Sequence, residues 1–442
     1  MDLTTLLGTT FDCACGRRHQ IPTEKLIYGR DAFTALPQIV TDITDGQKCL
    51  LVADQRTWEK AGEKAAGELE ASGLQVFCFI VPDKDGEEPT ADEQTKDYLM
   101  QNAPLADLYI AVGSGVINDL VKWVAYLQRK PYVSVPTAAS MNGYASANVA
   151  ATVDGLKVLF HAEACRAVVA NPEIINNAPQ ELTASGLGDV LAKSVSSADW
   201  KLNQLLFGDY YCQFAVDLLK DLEPIYLENP KQIRKKDPVA LQALFEALFY
   251  SSIAMTMTGT SSPASGGEHL ISHTLDMLAI RDNKKHDLHG RQVGVGSILS
   301  AAIYEKVMQL EKPVFYKVPQ QVNQAFWGSL FPIVEKEYQQ KLVRIKQAVD
   351  YLQQPANWQL FKKTIQPGLV PPIQLKKCLL EAGAAHRFED IRYDGIALPR
   401  KKFVDIVTHA NQMRQRFTIL DLAAILGIIP DQLDALVDEW VS

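Results

Sequence analysis

The strongest constraint on how this chain can fold is a change of texture near residue 175. Before it, short apolar runs alternate with helical stretches. Lys48–Ala53, Gln75–Pro82, Asp107–Val112, Tyr132–Pro136 and Val168–Ala170 have the length and composition of buried strands. Helical stretches fall between them at Thr57–Ser72, Thr90–Asn102 and Val116–Leu127. The second opens on Thr90-Ala91-Asp92-Glu93, the spacing of a capping box. Ala147–Phe160 reads as two alternating runs about Asp154-Gly155, a hairpin signal because Asp-Gly suits a turn with positive φ. Strand–helix alternation in this order predicts a doubly wound parallel sheet. From about Gln180 onward no convincing strand follows. Helical periodicity covers Leu187–Leu206, Tyr210–Leu222, Val239–Thr258, Glu268–Ala279 and Gln292–Lys306. It resumes over Asn357–Ser442, whose last pair of helices breaks at Gly427 and Pro430. The expected fold class is an α/β N-terminal dinucleotide-binding domain over 1–175 and an all-α C-terminal domain over 176–442.

Composition narrows the function classes. With 47% hydrophobic and 22% charged residues, the 442-residue chain is ordinary globular material rather than disordered. Fifty-two acidic residues against 44 basic ones give a net charge of −8, which speaks against a nucleic-acid partner. Seven cysteines at irregular spacing do not make a disulfide framework and suit a reducing compartment. The chain opens without a cationic, apolar leader, and no run approaches the ~18 uninterrupted apolar residues of a membrane span. A cytoplasmic protein with no membrane span is expected.

Four of the eight histidines, His269, His273, His286 and His289, fall between positions 269 and 289. His269 and His273 are spaced i, i+4 and share one helix face. His289 precedes Gly290 at an expected helix start. Upstream, Asp189 follows Gly186-Leu187-Gly188 near another expected helix start, with Lys193 one turn on. A carboxylate and neutral imidazoles on separate elements suit a divalent metal with open positions for substrate. The bland alternative is a set of histidines satisfied by ordinary hydrogen bonds, and His286, in Asn283-Lys284-Lys285-His286-Asp287, reads as a solvated loop residue.

Gly113-Ser114-Gly115-Val116-Ile117-Asn118-Asp119 lies at the carboxyl end of a strand and opens a helix. Glycines there let backbone N–H groups approach a diphosphate. A plain tight turn is the alternative, and the G-x-G-x-x-G fingerprint is absent. The small polar loop Thr137 to Ser146, with Ser140 and Asn142, follows the next strand and would flank the same crevice. Asp54, after the first strong strand, favours NAD. Cys13-Ala14-Cys15-Gly16-Arg17-Arg18-His19 has the look of a metal knuckle. It offers three local ligands where a structural zinc wants four, and a hairpin turned at Gly16 is the alternative reading.

Taken together, these motifs resemble the sn-glycerol-1-phosphate dehydrogenases, including the bacterial branch found with arabinose-utilisation genes. That family lies within the superfamily of iron-containing alcohol dehydrogenases, glycerol dehydrogenases and dehydroquinate synthases. The resemblance runs from about Leu26 to at least Ile303 and rests on Gly113–Asp119, Thr137–Ser146, Gly186–Lys193, Ser197-Ala198-Asp199-Trp200, Ser265–His273 and His289-Gly290. It implies a dehydroquinate synthase-like fold and metal-assisted hydride transfer between NAD or NADP and a dihydroxyacetone-phosphate-like ketone, in phospholipid metabolism. The implied metal ligands are Asp189, His273 and His289, holding zinc, nickel or iron. Cofactor contacts would be Asp54, Gly113, Ser114, Gly115, Asn118, Asp119, Thr137, Ser140 and Ser146. Asn142, Asp189, His269 and Lys193 would face a small phosphorylated polyol or ketone, in a homodimer or larger assembly. Asn142 stands where the family usually carries Asp, so an unphosphorylated polyol is an alternative substrate. A dehydroquinate synthase-like cyclase is the alternative activity.

Overall fold

A computed structural model describes residues 3–84, 86–153 and 156–442 of the chain. They divide into two compact units. One comprises Met1–Gly186, Asp217–Ile225 and Lys235–Thr260; the other comprises Leu187–Val216, Tyr226–Arg234 and Ser261–Ser442.

The first unit is built on a six-stranded sheet: β1 (Lys25–Tyr28), β2 (Lys48–Asp54), β3 (Gln75–Val81), β4 (Leu108–Gly113), β5 (Tyr132–Pro136) and β6 (Ala167–Ala170). Every pairing is parallel and the order is β1-β6-β5-β4-β2-β3. Strands β4, β5 and β6 are buried along their whole length, which explains their continuous apolar runs. The chain runs outward from β2 to β3 and then reverses to β4 on the other side of β2. The switch point of this doubly wound sheet therefore lies between β2 and β4. Phe33, Leu36, Val40, Leu51 and Ile110 lie in the core on one face. Helix α1 (Gly115–Gln128) follows β4.

Two further strands, Asn148–Val153 and Leu156–His161, form the expected hairpin, with Asp154-Gly155 outside the described residues. Trp123 of α1 packs edge-on against Phe160 of that hairpin. Strand β1 escaped the sequence reading, because Lys25–Tyr28 is only four residues and half-buried throughout. The capping residue near 90 is also corrected. Asp92, not Thr90, accepts from the Thr95 N–H at 2.8 Å and opens the helix Glu93–Asn102.

The second unit is helical around α2 (Gln180–Leu191, which enters from the first unit), α3 (Lys193–Phe207), α5 (Gly267–Arg281) and α6 (His289–Met308). Its only described strands are the two-residue pair Arg392–Tyr393 and Ile396–Ala397. Asp189 lies in the last turn of α2 rather than at a helix start. The stretch expected to be helical over 210–222 is regular only at Gln213–Asp217. Helix α4 (Pro238–Thr258) belongs to the first unit. It starts where Asp237 accepts from the Val239 and Ala240 N–H groups and Pro238 occupies the first turn. By length and composition it could cross a membrane, but 78% of its most apolar window is buried within the fold, as a core helix requires.

Candidate metal centre and cofactor turn

Close helix packing brings the second unit's ligand candidates together. A Cβ on Gly188 would lie 2.0 Å from the Gly290 carbonyl oxygen, and one on Gly296 would lie 2.8 Å from the Glu268 carbonyl oxygen. Only glycine allows α2 and α5 to press this closely on α6. The result sets Asp189 from α2, His269 from α5 and His289 from α6 around one point, with donor atoms within 4.8 Å of one another. Asp189 and His269 are buried and His289 is half-buried. The trio that converges therefore differs from the one the resemblance implied. His273, one turn beyond His269, instead groups with His289 and Asp276. Its ring stacks on that of His289 with centroids 5.5 Å apart. His286 is exposed, with its Nδ1 3.6 Å from Asp276.

Both imidazoles of this trio are oriented through Nδ1. Glu268 Oε1 lies 2.9 Å from Nδ1 of His269, and a carboxylate there accepts the ring proton. Ser272 donates its hydroxyl proton to Gln292 Oε1 at 2.7 Å, so its oxygen accepts from His289 Nδ1 at 3.0 Å. With Nδ1 of each ring engaged in this way, Nε2 is the nitrogen left for a metal, as where outer-shell partners fix metal-binding histidines, and on His269 a cation there would replace the proton that Nε2 shares with Asp189. His269 Nε2 sits 3.6 Å from Asp189 Oδ1. Burial opposes protonation of His269, but hydrogen bonds to Asp189 and Glu268 push its pKa up to about 9. The second oxygen of Glu268 is buried without a hydrogen-bond partner. Carboxylates crowded in this way favour a positive charge among them, and one carboxylate with two imidazoles could hold a divalent cation.

Asp199, which the sequence marks only as part of the Ser197–Trp200 motif, organises this centre. Fully buried on α3, it accepts from the Gly267 N–H that starts α5, from the Ile419 N–H of another helix start, and from Tyr304 of α6. Nothing in its spacing singled it out. Lys193, the first residue of α3, is half-buried.

In the first unit, strand register places the sequence-predicted residues along one edge. Val52 pairs with Ala111, which sets Asp54 level with Gly113, and Gly113 pairs with Pro136. Asp54, the Gly113–Gly115 turn and the loop from Thr137 thus line the carboxyl ends of three adjacent strands at the switch point. A Cβ on Gly113 would collide with Ile117 at 2.6 Å, so this glycine serves the turn itself. A Cβ on Gly115 would meet only Met141, at 3.7 Å, leaving an open approach to the N-terminus of α1. Asp54 also caps the next helical turn, accepting from the Thr57 N–H at 2.9 Å.

Several of these residues have ties within the protein. Asn118 is buried, accepting from Ser134 at 2.8 Å and donating to the Gly143 carbonyl at 3.3 Å. Ser114 bonds Ser140 and lies 3.3 Å from the Tyr144 hydroxyl. Asp119 receives Lys122 at 3.0 Å and the Ala150 N–H at 3.1 Å. Lys122 was missed by the sequence reading. Its ammonium is fully buried and also donates to the carbonyls of Gly143 and Asn148 and to Ser146 Oγ, strapping the polar loop to α1. Thr137 is buried and Asn142 half-buried in the same loop.

Comparisons with known proteins agree with this architecture. The family model for iron-containing alcohol dehydrogenases matches residues 27–179. Among solved structures, glycerol dehydrogenase from Schizosaccharomyces pombe superposes with a TM-score of 0.62 at 16% identity, covering 95% of this chain and 90% of that one. Butanol dehydrogenase A from Thermotoga maritima gives 0.57 at 14% identity, with 95% and 97% covered. At that identity the likeness shows the fold alone. Relatives in sequence are nearer. A glycerol-1-phosphate dehydrogenase [NAD(P)+] of Bacillus licheniformis is 33% identical over 81% of this chain and 93% of its own length. One of Geobacillus stearothermophilus is 31% identical over 74% and 81%. On this similarity, which spans most of both chains, the protein belongs to the glycerol-1-phosphate dehydrogenase family.

Proposed function

We propose that this chain is a metal-dependent NAD(P) oxidoreductase interconverting a dihydroxyacetone-phosphate-like ketone and sn-glycerol 1-phosphate. The observation that carries this reading is the convergence of Asp189, His269 and His289, with both Nδ1 atoms anchored by Glu268 and Ser272. These three residues would hold a zinc- or nickel-type divalent cation, and His273 would flank it. When bound, the cation supplies Lewis acidity toward the substrate oxygen, and the nicotinamide supplies or takes the hydride.

The chain's own residues supply orientation. The N-terminus of α1 offers backbone N–H groups and a favourable dipole to the dinucleotide diphosphate, with the Gly115 position leaving room for it. Asp54, level with Gly113, would accept from the adenosine ribose and favour NAD over NADP. Lys122 keeps the Thr137–Ser146 loop in place, so that Ser140 and Asn142 present polar atoms at a set position. Asn142 can donate to and accept from a substrate hydroxyl but carries no charge, so it orients without acting as a base. Lys193 would face the substrate's anionic group.

The test is an assay of the purified chain with NADH or NADPH, dihydroxyacetone phosphate and added zinc or nickel. One NADH consumed per product, lost in Asp189→Ala and His269→Ala, is expected. Product formation with no net NADH change would point to a cyclase of the dehydroquinate synthase kind. Metal-loaded protein with no turnover in either direction would overturn the substrate assignment.

A further inference from the structure

The N-terminal hairpin carries a second cluster of metal-type ligands that the dehydrogenase chemistry does not use. Its strands are short, Thr10–Asp12 against Arg18–Gln20, with Phe11 opposite His19. Gly16, at φ +82°, turns the chain between them. The Cys13 N–H donates to the Arg17 carbonyl at 3.0 Å, and the Gly16 N–H donates to the Cys13 carbonyl at 2.9 Å. This tight turn folds Cys13 and Cys15 back toward His19. The two sulfurs and a ring nitrogen of His19 lie within 4.8 Å of one another, and Cys15 Sγ is 3.2 Å from His19 Nε2.

The histidine is prepared in the same way as those of the catalytic centre. It is 1% exposed, and its Nδ1 lies 2.7 Å from the carbonyl oxygen of Met257 in α4. A carbonyl only accepts, so the proton is on Nδ1 and the lone pair is on Nε2, the atom that faces Cys15. None of the seven cysteines is in a disulfide. A hairpin with three paired residues per strand is marginal without a staple. Two sulfurs and an imidazole on such a hairpin are the ligands of a structural zinc knuckle.

We propose that Cys13, Cys15 and His19 bind a second, structural metal ion of the zinc class, chemically distinct from the oxygen- and nitrogen-ligated cation of the catalytic centre. The fourth position belongs to a donor outside the hairpin, a further thiolate or a water.

The experiment uses the full chain, reduced, loaded with zinc or cobalt and freed of excess ion. Wild type should hold two metal equivalents, and Cys13→Ser/Cys15→Ser one, with NADH turnover measured on the same sample. The cobalt form should show a thiolate-to-cobalt absorption band. Because the catalytic trio has no sulfur, that band should persist in His289→Ala and vanish in Cys13→Ser/Cys15→Ser. Loss of turnover in His289→Ala with the band intact separates this proposal from the dehydrogenase reading. Substitution of each of the other five cysteines in turn completes the site: one that weakens the band identifies a sulfur fourth ligand, and no effect at any of the five identifies water. Should the double variant fail to fold, the wild-type cobalt spectrum and metal count still decide. Folded, metal-saturated wild type with no thiolate band and a single equivalent would overturn the second site.

Discussion

Gly188 packs so closely on Gly290 that a single methyl group on the former would lie 2.0 Å from the carbonyl oxygen of the latter. Asp189 and His289 are the chain neighbours of these two glycines, so the contact sets the distance between two proposed ligands. Gly188→Ala must push α2 from α6 and should lower metal affinity roughly 10–100-fold, the range seen when outer-shell support of a metal site is lost. Competition with a chromophoric chelator measures this. Gly115→Ala is the contrast, since its methyl group fits beside Met141 at 3.7 Å. It should leave metal binding unchanged while raising the KM for the dinucleotide.

Lys122→Met should loosen the loop rather than the sheet. The substitution keeps the apolar stem but leaves the Gly143 and Asn148 carbonyls and the Asp119 carboxylate short of a donor. The unsatisfied buried groups should lower stability by ~1–3 kcal/mol, and the KM for NADH should rise as the loop loses its set position. Steady-state kinetics at saturating metal checks this, and an unchanged KM with lowered stability would reassign Lys122 to folding alone.

The helical unit contains a fully buried ion pair whose rupture should be costly. Both oxygens of Asp421 lie 3.0 Å from Lys341 Nζ, which also donates to the Asn411 carbonyl. Lys341→Met leaves the Asp421 carboxylate uncompensated and should destabilise the unit by about 3–5 kcal/mol. The double variant Lys341→Met/Asp421→Leu should recover part of that loss. Urea unfolding of the two variants beside wild type reads the difference.

His409 should make stability depend on pH. Burial lowers its pKa below the ordinary value near 6.5, against a smaller upward pull from the Asp405 carbonyl, and its ring stacks on Phe326 with centroids 4.3 Å apart. As pH falls through about 6.5, the unfolded chain binds a proton at this position before the folded one does. This group's contribution is therefore intact above that pH and lost as pH falls toward the folded-state value. His409→Phe keeps the stack and should flatten the decline between pH 7.5 and 5.5, as read from urea midpoints. An equal decline in both proteins would show that other groups carry it.

Local pattern was sufficient for much of this molecule. The apolar runs of β2 to β6, the turn at Gly113–Gly115 and the helices beginning at Gly267 and His289 are each written in contiguous residues. Strand and helix periods are local properties, and a buried parallel strand needs no distant partner to be apolar. Local pattern also concentrated imidazole near Asp189's expected partners and set two cysteines close to His19. It could not decide which histidine joins Asp189. His269 and His273 share a helix face, and only the approach of α2 to α6, permitted by Gly188 and Gly290, groups His269 with Asp189 and leaves His273 beside Asp276. The roles of Asp199, Lys122 and the Met257 carbonyl were equally hidden. Each depends on hydrogen bonds to residues far away in the chain, and a buried charge or a fixed ring tautomer is specified by such partners, not by its sequence neighbours.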